Sequence, residues 1–142
     1  MELTCTIEGL SNMRAQFEDF SDKVQRAVMR KALTQTGNIV KKAARAKVPV
    51  LTGALKKSIT LKVSVKEEAQ SYVTIFATKP HAHLIEFGHA IKSKKGGPSF
   101  GFVAAHPFMR PAVDENHPAI LDTFIESLNG QIQKQAIKAS AL

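Results

Sequence analysis

The stretch that decides the fold is Val48-Pro49-Val50-Leu51-Thr52-Gly53-Ala54-Leu55-Lys56-Lys57-Ser58-Ile59, which joins a basic helical segment to an alternating strand. Pro49 fixes its own φ and disfavours the α region at Val48, so a helix arriving from upstream should end there. Gly53 permits a turn that a residue with a side chain would resist, and the Thr52 hydroxyl can close that turn. We expect Leu55 to resume the buried pattern. The stretch therefore predicts a tight corner between a helix and a strand.

The clearest strand of the sequence follows this corner. Apolar and polar residues alternate over residues 59–66, which is the period of a half-buried strand. The polar link at 67–71 and the β-rich run at 72–78 predict a second strand that pairs back antiparallel. A short strand is also predicted at residues 3–7, where the same alternation appears.

Upstream of the corner, apolar residues recur at mixed three- and four-residue steps and predict one long helix or two. In the first alternative, Ser11 or Asn12 caps a helix that runs on toward Val48. In the second, Ser21-Asp22 caps a new helix beginning at Lys23. Glycine in a helix interior costs about 1 kcal/mol relative to alanine, so Gly37 among mediocre helix formers predicts a kink or break there.

The last third of the chain is less regular. Residues 83–87 are compatible with a helical turn or a short strand. The segment 91–99 is basic and contains glycine, and it has no core residue after its first position, so we predict a mobile loop. A strand is predicted at 100–104 and a final helix at about 111–138, interrupted by Pro118 near its start and by glycine after Asn129.

Composition limits the class of protein. A chain of 142 residues fits one domain, predicted to span 1–142, and 44% hydrophobic with 23% charged residues is typical of a soluble globular protein. Cys5 is the only cysteine, which excludes an intrachain disulfide. We expect neither a signal peptide nor a membrane span, because no apolar run approaches the roughly 20 residues that a span requires.

Charge is distributed unevenly along the chain. The net charge is +8, and the segment from Lys23 to Lys57 holds ten basic residues and no other charge, whereas the segment before it is mainly acidic. Separate acidic and basic surfaces favour head-to-side association between copies, or contact of the basic surface with nucleic acid. A solvated helix face is the plainer interpretation of the same pattern.

The sequence gives little support for catalysis or metal binding. His81, His83, Glu86 and His89 are the only cluster with metal-ligand chemistry, and we favour a polar loop there over a metal site. Cys5 has no base nearby in sequence, and no serine belongs to a recognisable triad. We therefore predict no enzyme, no metal and no cofactor, and we keep a metal-dependent enzyme as the third hypothesis.

Two later phrases accompany the corner, Leu84-Ile85-Glu86-Phe87-Gly88 and His106-Pro107-Phe108-Met109-Arg110-Pro111-Ala112. With all three in this order, the chain resembles the gene-product-ten-like family of tailed bacteriophages, which are neck or tail-completion proteins of the head-tail junction. The resemblance implies that Glu86 is an inward or intersubunit hydrogen-bond acceptor that holds the turn at Gly88. The residues we assign to the fold and assembly motif are Pro49, Thr52, Gly53, Leu55, Glu86, Phe87, Gly88, Pro107, Phe108, Arg110 and Pro111.

These observations combine into one prediction. The fold should be α+β, with a mainly antiparallel sheet packed against a long N-terminal helix and a C-terminal helix. The resemblance implies a structural virion protein, made in the bacterial host cytoplasm, that forms a ring with copies of itself and meets other head-tail junction or tail proteins. We expect the loop at 91–99 to reach a neighbouring subunit or junction protein.

A nonspecific DNA-binding accessory protein is the main alternative. Basic side chains on one helical stripe and in the loop could contact the DNA backbone, but aromatic residues are only 6% of the chain and no base-reading motif is present. The candidates for subunit or DNA contact are Arg26, Arg30, Lys41, Arg45, Lys92, Lys94 and Lys95.

Overall fold

The computed structural model describes residues 10–50, 52–65, 71–93 and 97–141. Over these ranges the fold is α+β, as predicted, with long helices near both ends and two small antiparallel sheets. The helices are α1 (Leu10–Glu18), α2 (Asp22–Lys47), α3 (Ala54–Ser58), α4 (Ala82–Phe87), α5 (Met109–Asp114) and α6 (His117–Ser140). The strands are β1 (Ile59–Ser64), β2 (Tyr72–Ala77), β3 (His89–Lys92) and β4 (Ser99–Val103). The strand predicted at 3–7 lies outside the described residues.

Helix α2 is the longest element, at 26 residues. It starts after Ser21, whose carbonyl oxygen accepts hydrogen bonds from the amides of Val24 at 2.9 Å and Gln25 at 3.0 Å. The second of the two helix alternatives is therefore correct. The helix ends at Lys47, and Val48 after it has the extended backbone (φ −64°, ψ 128°) that a following proline favours.

The break predicted at Gly37 is absent, since α2 continues through it. The hydroxyl of Thr36 donates to the carbonyl of Ala32 at 2.9 Å and so finds its partner inside the helix. Glycine is needed at position 37 for a different reason. A Cβ there would lie 2.8 Å from Cγ2 of Val73 on β2, so glycine lets the sheet approach the helix closely.

Strands β1 and β2 form the predicted antiparallel hairpin, in a register that pairs Ile59 with Ala77 and Ser64 with Tyr72. The hairpin packs on the second half of α2, where Gly37 faces Val73 and Arg45 donates to the carbonyl of Ile59. A buried cluster fills the space between the hairpin, the corner and the helices. Its buried members are Val40, Ala44, Val48, Leu55, Ile59, Phe108 and Ala112.

The C-terminal region contains two helices where one was predicted. Helix α5 starts at Met109, before Pro111, and a short turn separates it from α6. Pro118 lies in the first turn of α6, where a missing backbone N–H costs nothing, so it helps to start that helix and does not interrupt one. A second buried cluster of Met13, Val28 and Ile132 joins α6 to α1 and α2. No helix within the described ranges is long and apolar enough to cross a membrane.

Strands β3 and β4 pair antiparallel and flank the segment predicted as a loop. Ile91 and Lys92 belong to β3 and Ser99 to β4, so the two ends of the predicted loop are paired strands. The register shifts between Ile91 and Lys92, which leaves Phe100 as the extra residue of a bulge on β4. Residues 94–96 lie outside the described residues.

Candidate functional site

The three phrases singled out in the sequence meet at one corner of the fold, next to the C-terminal end of α2. Leu55 from the first and Phe108 from the third belong to the same buried cluster. Glu86 from the second is hydrogen bonded to the third. The corner therefore joins segments that are more than 50 residues apart in the chain.

The turn at Thr52 and Gly53 starts the corner. The hydroxyl of Thr52 accepts a hydrogen bond from the amide of Ala54 at 3.4 Å, and Gly53 has a φ of +73°. The carbonyl of Gly53 accepts from the amide of Lys57 at 3.0 Å, which closes the first turn of α3. This turn places Leu55 in the core, while Pro49 stays exposed.

Glu86 is the central polar residue of the corner. One oxygen of its carboxylate, Oε2, accepts hydrogen bonds from the amides of Phe108 at 2.8 Å and Met109 at 3.1 Å, and Oε1 accepts from the amide of Arg110 at 3.2 Å. These amides are at the start of α5, where backbone N–H groups have no partner within the helix. Glu86 thus caps α5 from another helix, and its partners belong to segment 108–110 and not to the turn at Gly88.

Gly88 makes a second close contact at this corner. It has a φ of +71°, and a Cβ at this position would lie 2.6 Å from the carbonyl oxygen of Val103 and 2.9 Å from the amide of Ala105. Only glycine allows the chain leaving β4 to pass so near. The amide of His106 then donates to the carbonyl of Ile85 at 2.8 Å, which fixes the return of the chain to α4.

An exposed aromatic surface lies beside this anchored return. Phe87, Phe100 and Phe102 are 77%, 72% and 69% exposed. A Cβ on Gly88 would lie 3.0 Å from the ring of Phe102, which places that ring against the turn that follows Phe87. Sequence reasoning missed this surface, because an aromatic residue alternating along a short strand is equally typical of a core-facing position. We call Phe87, Phe100 and Phe102 the aromatic face.

An open cleft of about 710 Å³ borders the same corner. Ala77 and the buried Phe108 lie at its apolar side, and the exposed side chains of Lys79, His83 and Arg110 line it as well. Its carboxylate, that of Glu86, is already engaged by three backbone amides. Within the described part of the chain, no group of three or more histidine, cysteine, aspartate or glutamate residues could hold a metal ion.

The basic residues predicted to share a helical stripe are not equally accessible. Arg26 and Arg30 are exposed on the first half of α2, and Lys41 is half-buried. Arg45 is turned inward, because its guanidinium donates to the carbonyl of Ile59 at 2.8 Å once the β1–β2 hairpin covers this part of the helix. Lys92 is exposed at the end of β3. Lys94 and Lys95 lie outside the described residues.

Comparison with known proteins gives one match. The family model described as "Bacteriophage HK97-gp10, putative tail-component" matches residues 11–88, more than half of the chain. The match runs from α1 through α4 and ends at Gly88, so the phrase at 107–112 lies beyond it. No curated protein and no solved structure matches the chain. The resemblance inferred from the three phrases is confirmed, and the chain belongs to the HK97-gp10-like family of bacteriophage tail components.

Proposed function

We propose that this protein is a structural component of the head-tail junction, a neck or tail-completion protein that assembles as a ring of identical subunits. Membership of a phage tail-component family supports a structural role in the virion. The observation that carries the finer proposal is the aromatic face, because phenylalanines exposed by more than two thirds are typical of a protein interface. Other head-tail junction or tail proteins are the further partners.

The polar groups of the corner support a structural role over an enzymatic one. A general base needs a carboxylate that is free to take a proton from a substrate. The oxygens of Glu86 instead accept three backbone hydrogen bonds, which makes them part of the fold. We infer that the protein is not an enzyme and that it works without a cofactor.

The β3–β4 hairpin is the element that we assign to subunit contact. It is anchored at both ends, by the Gly88 turn and by the hydrogen bond from His106 to Ile85, and it carries Phe100 and Phe102 of the aromatic face. Deleting residues 92–97 should abolish ring formation and tail joining. Retention of both would refute the assignment.

Nonspecific DNA contact is the second candidate. Arg26 and Arg30 are exposed on α2, and the net charge of +8 favours a polyanion. Such contact is compatible with a ring around the passage of a genome, where backbone contact without base readout would suffice.

The deciding experiment is multi-angle light scattering of the purified protein at low and moderate salt, with negative-stain images of the same fractions. Closed rings with a central opening are the expected result. A monomer that binds DNA in a strongly salt-dependent way would favour the DNA-binding accessory role.

A further inference from the structure

We propose that the outer face of the β1–β2 sheet binds single-stranded DNA by stacking bases on Tyr72 and Phe76. These two rings and Lys62 on the neighbouring strand are called the stacking face. The inference goes beyond the proposed ring and does not depend on it. It also uses residues other than Arg26 and Arg30, the candidates for contact with the DNA backbone.

The two faces of this sheet differ because side chains alternate along each strand. Burial along β2 alternates between exposed and half-buried positions, and Val73 on the half-buried side approaches Gly37 of α2. The side chains at 72, 74 and 76 therefore point away from α2. Tyr72 is 51% exposed and Phe76 is 37% exposed. Among the described elements, β2 packs mainly against β1 beside it and α2 behind it, which leaves its outer face open.

The register of the hairpin keeps both rings of the stacking face accessible. Across the strands the rings face small polar residues, Ser64 and Thr60, so neither ring is paired with another large side chain. Lys62 lies opposite Thr74, between these two pairs. The rings are four residues apart, or about 14 Å at 3.4 Å per residue, which is the length of about four stacked nucleotides. A cation between two rings suits a single strand, because the rings take bases and the cation takes a phosphate.

The charge around this face is of one sign. The described residues 52–65 and 71–85 contain lysines but no aspartate or glutamate. The lysines are Lys56, Lys57, Lys62 and Lys79. All of them are exposed, and none has an ion-pair partner within the part of the chain that the structure describes. The link at 66–70, with one lysine and two glutamates, lies outside the described residues. Unpaired cations without a carboxylate among them favour a polyanion.

Two of these lysines flank the same end of the sheet. The amide of Thr78 donates to the carbonyl of Ser58 at 3.2 Å, so the chain before β1 and the chain after β2 are joined there. Lys57 precedes Ser58, and Lys79 follows Thr78. A strand that leaves the ring of Phe76 in this direction would therefore meet further cations.

Single-stranded DNA fits the stacking face better than a duplex or an acidic protein. Bases in a duplex are already stacked on one another, whereas unpaired bases offer their faces to aromatic side chains. An acidic protein segment would pair with the lysines but would leave both rings in water. The combination of open rings and unpaired cations is therefore the observation that selects the ligand.

The first test uses the intrinsic fluorescence of Tyr72. The chain has one tyrosine and no tryptophan, so this emission reports on the stacking face alone. Titration at low salt with an oligothymidylate of about 15 nucleotides should lower the emission about twofold or more, after correction for absorption by the DNA. Added salt should restore the emission. Absence of binding would overturn the inference, and so would binding, measured by fluorescence anisotropy of a labelled oligothymidylate, that leaves the emission of Tyr72 unchanged.

The second test separates stacking from charge. Tyr72→Thr and Phe76→Thr should each weaken binding about fivefold or more, and threonine keeps the strand propensity. Tyr72→Phe retains the ring and should bind like the wild type. Phe102→Thr is the matched control on β4, where the ring is 69% exposed, and it should leave the affinity unchanged. Circular dichroism verifies the fold of each variant.

The salt dependence of binding tests the cation. Lys62→Gln should lower the salt slope by about 0.7, the value of one phosphate contact on a single strand, while the exposed Lys134→Gln on α6 should not. Equal affinity of Tyr72→Thr and the wild type, or equal competition by polyglutamate, would show a contact of charge alone and would overturn the inference. Light scattering of the same variants keeps the two proposals apart, because rings that form without DNA binding would refute only the stacking face.

Discussion

At the scale of single residues, Glu86 and Gly53 hold the corner together and Gly37 fits the sheet against the middle of α2, each by a different physical means. Glu86 satisfies three amides that a short helix would otherwise leave unpaired. Gly53 provides a left-handed backbone in open space, with nothing within 4 Å of a Cβ built on it. Gly37 provides room for a side chain of the sheet. Each position therefore predicts a different response to substitution.

Glu86→Ala should lower the free energy of unfolding by about 2–4 kcal/mol, because it leaves the amides of Phe108, Met109 and Arg110 without their acceptor. Glu86→Gln should lose less, since one amide oxygen remains to accept. Urea denaturation measures both, with the exposed Glu126→Gln as control. Equal stability of the Ala variant and the wild type would show that solvent replaces the cap without cost.

Gly53→Val should destabilise the protein by roughly 1 kcal/mol or more, because a φ of +73° strains any residue with a branched side chain. The matched control is Gly130→Ala in α6, where a Cβ also meets nothing within 4 Å but the backbone is helical. That control should stabilise by up to about 1 kcal/mol. An unchanged melting temperature for Gly53→Val would mean that the turn relaxes freely.

At the scale of elements, the packing of the β1–β2 hairpin on α2 decides the layout of the molecule. The hairpin covers the second half of α2 and turns Arg45 inward, and it leaves the first half to α1 and α6. One helix thus carries two buried clusters on different parts of its length. Contact at Gly37 sets how closely the sheet can approach.

Gly37→Ala should be less favourable than Gly130→Ala by more than about 1 kcal/mol, although both replace a helical glycine. The reason is the 2.8 Å separation between the new Cβ and Cγ2 of Val73. Adding Val73→Ala should recover part of this difference in a double-mutant cycle of unfolding free energies. Additive effects of the two substitutions would place the sheet farther from the helix than the structure does.

At the scale of the whole molecule, the basic residues of α2 differ in exposure. Arg45 is turned inward to Ile59, whereas Arg26 and Arg30 are exposed. If Arg26 and Arg30 meet the DNA backbone, Arg26→Gln with Arg30→Gln should lower the salt slope of DNA affinity by about 2. Lys134→Gln with Lys138→Gln on α6 is the control and should change the slope less. Ring formation should survive both pairs, because our subunit contact uses neither.

Sequence reasoning succeeded where structure is decided locally. Alternation over residues 59–66 and the proline after Val48 were enough to predict the first hairpin and the end of α2. It failed where contact with a residue distant in the sequence decides the local structure. Gly37 suggested a break because helix propensity does not include the close approach of Val73 to this position.

The amide of His106 donates to Ile85 and the amide of Phe108 donates to Glu86, and these hydrogen bonds fix both ends of the segment between Glu86 and His106. That segment is therefore a loop with fixed ends. The entropy cost of closing a loop rises slowly with its length, since doubling the length adds only about 0.6 kcal/mol. The segment can therefore be lengthened, shortened or rewritten while the body keeps its fold. Replacing this one segment could therefore change the surface that the protein recognises. A foreign hairpin could be grafted between Gly88 and Ala105 for this purpose.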